Sequence, residues 1–425
     1  MPFESSARWA ICNAALPGRE GRWRIHIEAA RIAGVVPDSG GAAAEEAGPV
    51  WNAAGRLVSS GFVDPHVHID KALTSDRVAD GADVAGLSEA ILAVRRLKAD
   101  FTVKDVATRA RRSLEMGLVN GTTTVRTHCE VDRFVGQRAV QGIQAASLTL
   151  AGKVDMQVVA FPQEGWFQTP GTLEDGAGPF IAQALEQGGA QVVGGNVNRA
   201  IWPSDPERQV DETFELAASY GCDIDYHLDN WDGADAFSLP YVAKKTLEQG
   251  WQGRVAVSHI ASLAWVSNAV AADTIDLLKS ADVQVCVLPT RMRLTRTLEL
   301  MEAGINVSCG TDNMRDPFVR FGDADPLKAM LLLAQLTKQL HNAGLEKIWQ
   351  MMTTNAARML RLKNYGLAPG CMADLVVLDA LSVQEAILLQ APRLAVVKGG
   401  QQVAGPLSIS AGSLFTNQLN PRSPS

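Results

Sequence analysis

Eight short apolar runs, separated by longer segments, restrict the fold of this chain more than any other feature. The runs are Gly61–Val67, Thr123–Thr127, Met156–Phe161, Val192–Gly194, Ile224–His227, Arg254–Ser258, Val283–Leu288 and Ile305–Cys309. Helix-like segments lie between several of them, at Val103–Met116, Asp211–Ser219, Leu239–Gln249, Ala271–Lys279 and Thr295–Ala303. Apolar strands that alternate with helices indicate a parallel sheet. Eight such strands over roughly 250 residues predict a (β/α)₈ barrel, with an open doubly wound sheet as the alternative.

Both ends of the chain have a different sequence pattern, which is typical of β-strands. Short strand-like runs separated by turn residues occur at Trp9–Ala15, Trp23–Ile27, Arg31–Val35, Ala373–Leu378 and Ala395–Lys398. The last of these is followed by Gly399-Gly400, a hairpin-type turn. We therefore predict a small β-sandwich domain, built from residues 1–58 and 365–425, beside a barrel of residues 59–364.

Composition excludes several classes of protein. The chain has 425 residues, a formal net charge of −7 and no long run of Lys or Arg, so a nucleic-acid footprint is missing. No apolar stretch reaches the roughly 18 residues of a membrane helix, and the first ten residues lack the apolar core of a secretory signal. The six cysteines form no C-x-x-C pair, which favours buried free thiols in a reducing compartment. We expect a cytoplasmic protein with a small-molecule substrate and no nucleic-acid or membrane partner. The sequence does not fix the oligomeric state, although large barrels often form homo-oligomers.

Histidines cluster at the ends of the predicted strands. His66 and His68 are two residues apart after an apolar run, so their side chains point to the same face of a strand. His128, His227 and His259 each end another run, which places five of the seven histidines at strand ends. The carboxyl ends of barrel strands are where sites form, and neutral imidazoles suit a metal such as Zn²⁺. The recurrence favours a metal site over hydrogen-bonded core histidines.

Asp312 follows the last apolar run in the same way. Its carboxylate could ligate a metal and also accept a proton from metal-bound water, although capping the next helix is the simpler role for an isolated aspartate. Rival signatures are absent: there is no H-E-x-x-H, no P-loop and no G-x-S-x-G elbow. His128-Cys129-Glu130 spells H-x-E, but the P-C-x-x-C half of the zinc cytidine-deaminase signature is missing.

Six segments together resemble the amidohydrolase superfamily, in the branch of bacterial cytosine deaminase and N-isopropylammelide isopropylamidohydrolase. They are the residues 61–71 with the sequence GFVDPHVHIDK, Arg126-Thr127-His128, the residues 160–165 with AFPQEG, Ser258-His259, the residues 310–318 with GTDNMRDPF and the residues 365–378 with YGLAPGCMADLVVL. The resemblance runs from about Ser59 to Val403, nearly the whole chain.

The resemblance implies a distorted (β/α)₈ barrel with one divalent metal, Zn²⁺ first and Fe²⁺ or Mn²⁺ as alternatives. The positions that match the family's metal ligands are His66, His68, His227 and Asp312. His259 matches the histidine that holds the attacking water, and Gln163 matches the glutamine that binds the heterocycle. In the implied mechanism, metal-bound hydroxide, formed with the help of Asp312, attacks a ring carbon that bears an amino or alkylamino group.

The chain departs from cytosine deaminase at one position. Where that enzyme has H-C-D-E, this sequence has His227-Leu228-Asp229-Asn230, and the amide of Asn230 cannot carry a proton at neutral pH. The isopropylamidohydrolase also lacks that glutamate and has the lysine that matches Lys71. We therefore expect Lys71, with a pKa lowered by the metal, or Asp229 to protonate the departing amine. Asn230 is placed at the substrate, and Trp166 and Trp202 are candidates to cover the ring, with core packing as the alternative for both.

The sequence thus predicts a metal-dependent hydrolase that cleaves an exocyclic C–N bond of a small nitrogen heterocycle, such as a pyrimidine or triazine. The first alternative is a cyclic-amide or N-acyl hydrolase, which needs the same metal but opens a ring or releases a carboxylate. The second alternative is a non-catalytic relative with a binding role. The presence of a suitable side chain at every metal-ligand position argues against this alternative.

Overall fold

The strands of this protein form two eight-stranded sheets, one at the chain ends and one between them. We describe a computed structural model, and the residues that it describes are 8–39, 48–78, 86–167, 176–198, 205–230, 232–234, 237–289 and 294–406. Within these ranges, no helix combines the length and the apolar character that a membrane span requires.

The first sheet brings the two ends of the chain together. Its strands are β1 (Arg8–Leu16), β2 (Arg19–Glu28), β3 (Arg31–Pro37), β4 (Val50–Asn52), β5 (Leu57–Ser60), β14 (Leu375–Leu378), β15 (Arg393–Lys398) and β16 (Gln401–Ala404). They run in the order β16-β15-β14-β5-β1-β2-β3, with β4 paired to β1. Only the pair Ala15–Leu57 links β1 to β5, and side chains from both halves, such as Ile11 and Val377, share one apolar core.

The second sheet is parallel throughout, and each strand pairs with its neighbour along the chain. Its strands are β6 (Phe62–Val67), β7 (Thr122–Glu130), β8 (Asp155–Phe161), β9 (Val192–Val197), β10 (Asp223–Leu228), β11 (Val255–His259), β12 (Gln284–Val287) and β13 (Val307–Cys309). A bridge between Val67 and Asp312 joins the last strand to the first. This arrangement confirms the predicted (β/α)₈ barrel, and each of the eight apolar runs lies on one of its strands.

Helices connect the barrel strands and cover them. They are α1 (Leu87–Ala99), α2 (Val103–Val119), α3 (Arg138–Thr149), α4 (Gly178–Glu186), α5 (Pro206–Tyr220), α6 (Leu239–Glu248), α7 (Asn268–Ser280), α8 (Thr297–Glu302), α9 (Pro326–Thr337), α10 (Asn342–Met351), α11 (Thr354–Met359) and α12 (Val383–Leu388). Short 3₁₀ turns lie at Ser75–Arg77 and Ala261–Ala264. The connection from β6 to β7 holds two helices, α1 and α2, and α1 contributes to the cavity described below.

The division at residues 58 and 365 stays a prediction, and two features of the structure bear on its detail. Strand β5 crosses residue 58 and pairs within the first sheet. Helix α12, inside the C-terminal segment, buries Val383, Ala386 and Ile387 in the same apolar cluster as the barrel helices. The C-terminal segment therefore contributes to both cores.

The six cysteines are free. Cys129, Cys286 and Cys309 are buried, in agreement with the expectation of buried thiols. Cys12, Cys222 and Cys371 are partly exposed, because they lie on the β sheet at the chain ends or at turns.

Candidate metal centre and cavity

The side chains of His66 and His68 leave strand β6 on the same side, as their spacing predicts. Every residue of β6 is buried, which is typical of a parallel strand covered on both faces. The strand starts after Gly61, where a Cβ atom would lie 2.4 Å from the side chain of Thr123. Glycine therefore lets β6 pack closely against β7 and sets where the histidines emerge.

Asp312 reaches the same point from the other edge of the barrel. Its N–H donates to the carbonyl oxygen of His66 (2.9 Å), and its own carbonyl accepts from the N–H of His68 (3.2 Å). A Cβ at Gly310 would lie 2.7 Å from that same oxygen of His66, so only glycine fits there. The carboxylate of Asp64 accepts hydrogen bonds from the N–H and hydroxyl of Thr311 and holds the loop in place.

Four side-chain donor groups converge at this closure of the barrel. Nε2 of His68 lies 3.0 Å from Nε2 of His227 and 3.6 Å from Oδ1 of Asp312, which is 3.5 Å from Nε2 of His66. Around an ion with metal–ligand distances of about 2.0–2.2 Å, tetrahedral geometry puts neighbouring ligand atoms roughly 3.3–3.6 Å apart. The observed spacings are close to that range.

Two of the histidines also make a hydrogen bond through Nδ1, on the side of the ring away from the centre. Nδ1 of His66 pairs with the hydroxyl of Ser258 (2.9 Å), and Nδ1 of His68 with the carbonyl oxygen of His128 (3.1 Å). The ring of His227 stacks on Phe161, with centroids 4.1 Å apart. Such contacts fix ring orientation and leave Nε2 of His66 and His68 directed at the centre.

Among the described residues, Nε2 of His66 and Oδ1 of Asp312 are buried without a hydrogen-bond partner. Buried polar atoms are normally satisfied, so this group lacks a partner that a cation would supply. Burial lowers the pKa of His66 to about 4 and those of His68 and His227 well below their ordinary value, which keeps the imidazoles neutral. Neutral imidazoles are the form that binds metal, so these residues fit one divalent ion.

His259 lies beside this group and faces the cavity. Its nitrogen falls within 4.8 Å of ligand atoms of His66 and Asp312. It ends β11 with a φ of 70°, a left-handed conformation that turns its ring away from the strand direction. Burial lowers the pKa of His259 to about 4, against the opposing effect of Asp312, so its ring is neutral near pH 7.

A small cavity adjoins this centre, and the space between its walls, part of it open to solvent, amounts to about 520 Å³. Its apolar lining consists of Leu87, Ile91, Phe318 and Val319, and its polar lining of His68, Lys71, Gln163, Asn196, Asn198, His227, Asn230, His259, Asp312 and Asn313. Five of these polar side chains are carboxamides, each of which offers a donor and an acceptor. The cavity therefore fits a small polar molecule with several hydrogen-bonding atoms.

Lys71 and Gln163 meet inside the cavity wall. Nζ of Lys71 donates to Oε1 of Gln163 (2.7 Å) and to Oε1 of Glu130 (2.8 Å). Burial alone would lower the pKa of Lys71, but Glu130 and Asp70 outweigh it, so the pKa lies above its ordinary value. Strand β7 thus supplies a carboxylate whose effect on Lys71 opposes the lowering expected from a metal.

Two residues expected at the substrate are not part of the cavity lining. Both carboxylate oxygens of Asp229 accept from the N–H of Ser238, and one also accepts from the N–H of Leu239, at the start of α6. Trp166 is buried in the barrel core against Gly178. Asp229 thus caps a helix and Trp166 packs in the barrel core, and Trp202 lies outside the described residues.

Several lining residues carry only a weak signal in the sequence. Asn196 and Asn198 line the cavity, and their i, i+2 spacing at the end of β9 is the signal that identifies them. Asn313 and Phe318 lie within the 310–318 segment but had been given no role. Glu130 was noted only within the H-x-E of His128-Cys129-Glu130, because its partner Lys71 comes from the turn after strand β6.

The barrel, the inward histidine and aspartate groups and the polar cavity together define a hydrolase of the amidohydrolase type. A model of the amidohydrolase family matches residues 149–404, and the chain belongs to this family. It is 34% identical to N-isopropylammelide isopropyl amidohydrolase of Pseudomonas sp. (strain ADP), over 92% of this chain and 96% of that protein.

Two crystal structures are also similar over nearly the full chain. The 5-methylcytosine deaminase of Klebsiella pneumoniae, liganded with phosphonocytosine, has a TM-score of 0.86 and 28% identity, over 94% of this chain and 98% of that one. The N-isopropylammelide isopropylaminohydrolase of Burkholderia multivorans has a TM-score of 0.83 and 29% identity, with the same coverage. The chain is a hydrolase of carbon–nitrogen bonds other than peptide bonds, as predicted.

Proposed function

We propose that this protein hydrolyses the exocyclic C–N bond of a small nitrogen heterocycle, a pyrimidine or triazine that carries an amino or alkylamino group. One observation carries the proposal: the carboxamide of Gln163 and the ammonium of Lys71 share a cavity with His68, His227 and Asp312. A carboxamide beside a metal centre suits a ring with amide-like edges. The activities named for the relatives, on ammelide and methylcytosine, support the same class of substrate.

We assign His66, His68, His227 and Asp312 as ligands of one divalent metal, Zn²⁺ first, and Fe²⁺ and Mn²⁺ also suit this donor set. The unpartnered buried atoms described above support the assignment. When bound, such an ion lowers the pKa of water at the site and stabilises negative charge on oxygen.

The protein's own groups account for the proton transfers. Asp312 takes one proton from water as the water oxygen bonds to the sp² ring carbon, and it delivers that proton to the ring nitrogen that gains the electron pair of the C=N bond. As the exocyclic C–N bond breaks, the second water proton passes through Asp312 to the departing amine, and a ring carbonyl remains. His259 donates a hydrogen bond to the oxygen that gains charge. Lys71 binds the substrate heterocycle and does not protonate the departing amine, because Glu130 stabilises the ammonium form of Lys71. Asn230, in the cavity lining, binds substrate without carrying a proton.

The test is turnover by metal-reconstituted protein on a panel of cytosine, isocytosine, ammelide, N-alkyl ammelides, a pterin and creatinine. Release of ammonia or alkylamine with a carbonyl left on the ring supports the proposal, provided that chelation abolishes it and added metal restores it. Ring opening to a carboxylate would instead establish a cyclic-amide hydrolase. Metal binding with no product from any compound would leave the proposed substrate class without support.

A further inference from the structure

A buried group of charges lies behind the cavity, and we call it the Lys98 cluster: Lys98, Glu130, Asp132 and Glu164. Nζ of Lys98 contacts Oε2 of Glu130 (2.5 Å), Oδ2 of Asp132 (2.5 Å) and Oε2 of Glu164 (2.6 Å). All four side chains are at most 1% exposed. The carboxylates are spaced as if for a cation, and the ammonium of Lys98 occupies that place.

The cluster is connected to the cavity through Glu130. One oxygen of this carboxylate contacts Lys98, and the other accepts from Lys71 at 2.8 Å. Lys71 in turn donates to Oε1 of Gln163 at 2.7 Å. Three elements therefore meet in one chain of hydrogen bonds: helix α1 supplies Lys98, strand β7 ends at Glu130, and Gln163 follows β8.

The charges of this chain depend on one another. Glu130 is buried with an ammonium on each side, and the loss of either would leave it partly uncompensated, which is costly in a buried site. Burial alone would raise the pKa of Glu130, but Lys71 and Lys98 outweigh it and hold its carboxyl ionised. Glu130 can therefore act as a fixed anchor for the ammonium of Lys71.

We propose that Glu130, held by Lys98, is a positioning residue that fixes the ammonium of Lys71 and, through Lys71, the polarity of the Gln163 amide. This inference rests on the proposed function. Because Oε1 of Gln163 accepts from Lys71, its amide nitrogen remains as the group that can donate to a ligand. Two adjacent donors then face the cavity, and the substrate edge opposite them carries acceptors, such as a carbonyl oxygen or an unprotonated ring nitrogen.

A double-mutant cycle separates positioning from a purely structural role. Glu130→Gln keeps the shape of the side chain but removes its charge, and we expect kcat/KM to fall about 10- to 100-fold, since a misplaced binding group is costly. In a Lys71→Met background, Glu130→Gln should change kcat/KM by less than about 3-fold, because Glu130 acts through Lys71. Additive effects of the two substitutions would overturn the proposal.

Asp374→Asn is the matched control. Asp374 is a buried carboxylate that accepts from a buried ammonium, Lys398, at 2.7 Å, in the sheet at the chain ends. It should lower thermal stability as Glu130→Gln does, without changing kcat/KM. An equal loss of kcat/KM in both variants would mean that any buried charge defect reduces activity, and would remove the positioning role.

A readout without turnover distinguishes failure of this inference from failure of the proposed function. In metal-free protein labelled with ¹⁵N at lysine Nζ, the ammonium of Lys71 should give a signal protected from exchange, assigned by its absence in Lys71→Met. Glu130→Gln should abolish that protection. If the wild-type protein turns over no heterocycle but shows this pattern, the proposed function fails and the positioning holds; if the signal is unchanged in Glu130→Gln, the positioning fails.

Discussion

The N–H of Asp312 donates a hydrogen bond of 2.9 Å to the carbonyl oxygen of His66, where the last barrel strand meets the first. The same backbone contact that closes the barrel therefore sets the distance between two side chains at the candidate metal centre. Residues far apart in sequence are brought to 3.5 Å between Nε2 and Oδ1 in this way. The contact that closes the barrel is therefore also the contact that brings the two side chains together.

Asp312→Asn should reduce turnover by about 10²–10⁴-fold, the usual contribution of a general base, and leave the fold intact. An amide keeps the size of the side chain but cannot accept the proton. The measurement is kcat on whichever panel compound the wild-type protein hydrolyses, with circular dichroism as the control for folding. Retention of more than a tenth of wild-type activity would exclude Asp312 as the base.

Metal removal should lower the thermal stability of the protein. Nε2 of His66 and Oδ1 of Asp312 are buried without another partner, and an ion whose free concentration is 1,000 times its Kd stabilises the fold by about 4.1 kcal/mol. We expect Zn²⁺ to raise Tm of the chelated protein and expect His227→Ala to lose this shift. His26→Ala, on β2 of the other sheet, is the control and should keep it; loss of the shift in both variants would argue against the assigned centre.

The raised pKa of Glu164 predicts that the protein loses stability as pH rises. Burial raises its pKa to about 7 from 4.5, an effect that Asp132 and Glu130 reinforce and Lys98 opposes. Between these two values the folded protein binds more protons than the unfolded chain, so the free energy of unfolding decreases with rising pH. Glu164→Gln should remove this decrease and gain stability relative to wild type at pH 8. Parallel pH profiles of the two proteins, from denaturant titrations, would contradict the prediction.

Asp229→Ala should destabilise the protein by about 1–3 kcal/mol, because N–H groups at the start of α6 lose their buried acceptor. Asp229→Asn keeps one acceptor oxygen and should cost less. KM should stay at the wild-type value in both variants, since the carboxylate is not part of the cavity lining. A higher KM with unchanged stability would indicate that Asp229 binds substrate.

The barrel and the convergence of its histidines could be predicted because both follow from short-range patterns. Apolar runs mark parallel strands, and the ends of parallel strands lie together, so His66, His227 and His259 had to be neighbours. The i, i+2 rule fixed the shared direction of His66 and His68. These conclusions need no knowledge of how side chains pack.

The sequence does not show what lies opposite a side chain. Asp229 has a φ of 47°, which turns its carboxylate toward Ser238, and no pattern in the sequence signals that turn. Lys71 was expected to protonate the departing amine, but Glu130 comes from the next strand and stabilises its ammonium. The first contact depends on a local turn and the second joins residues 59 positions apart, and neither follows from a short-range pattern in the sequence.

The closure between β6 and Asp312 also has a consequence for synthesis. A ribosome delivers His66, His68 and His227 long before it delivers Asp312, so a growing chain holds three imidazoles while the barrel is still open. Fragments that stop short of Asp312 lack both the carboxylate and the bridge at Val67 that shuts the barrel. The proposed set of four ligands is therefore complete only after most of the polypeptide has been made.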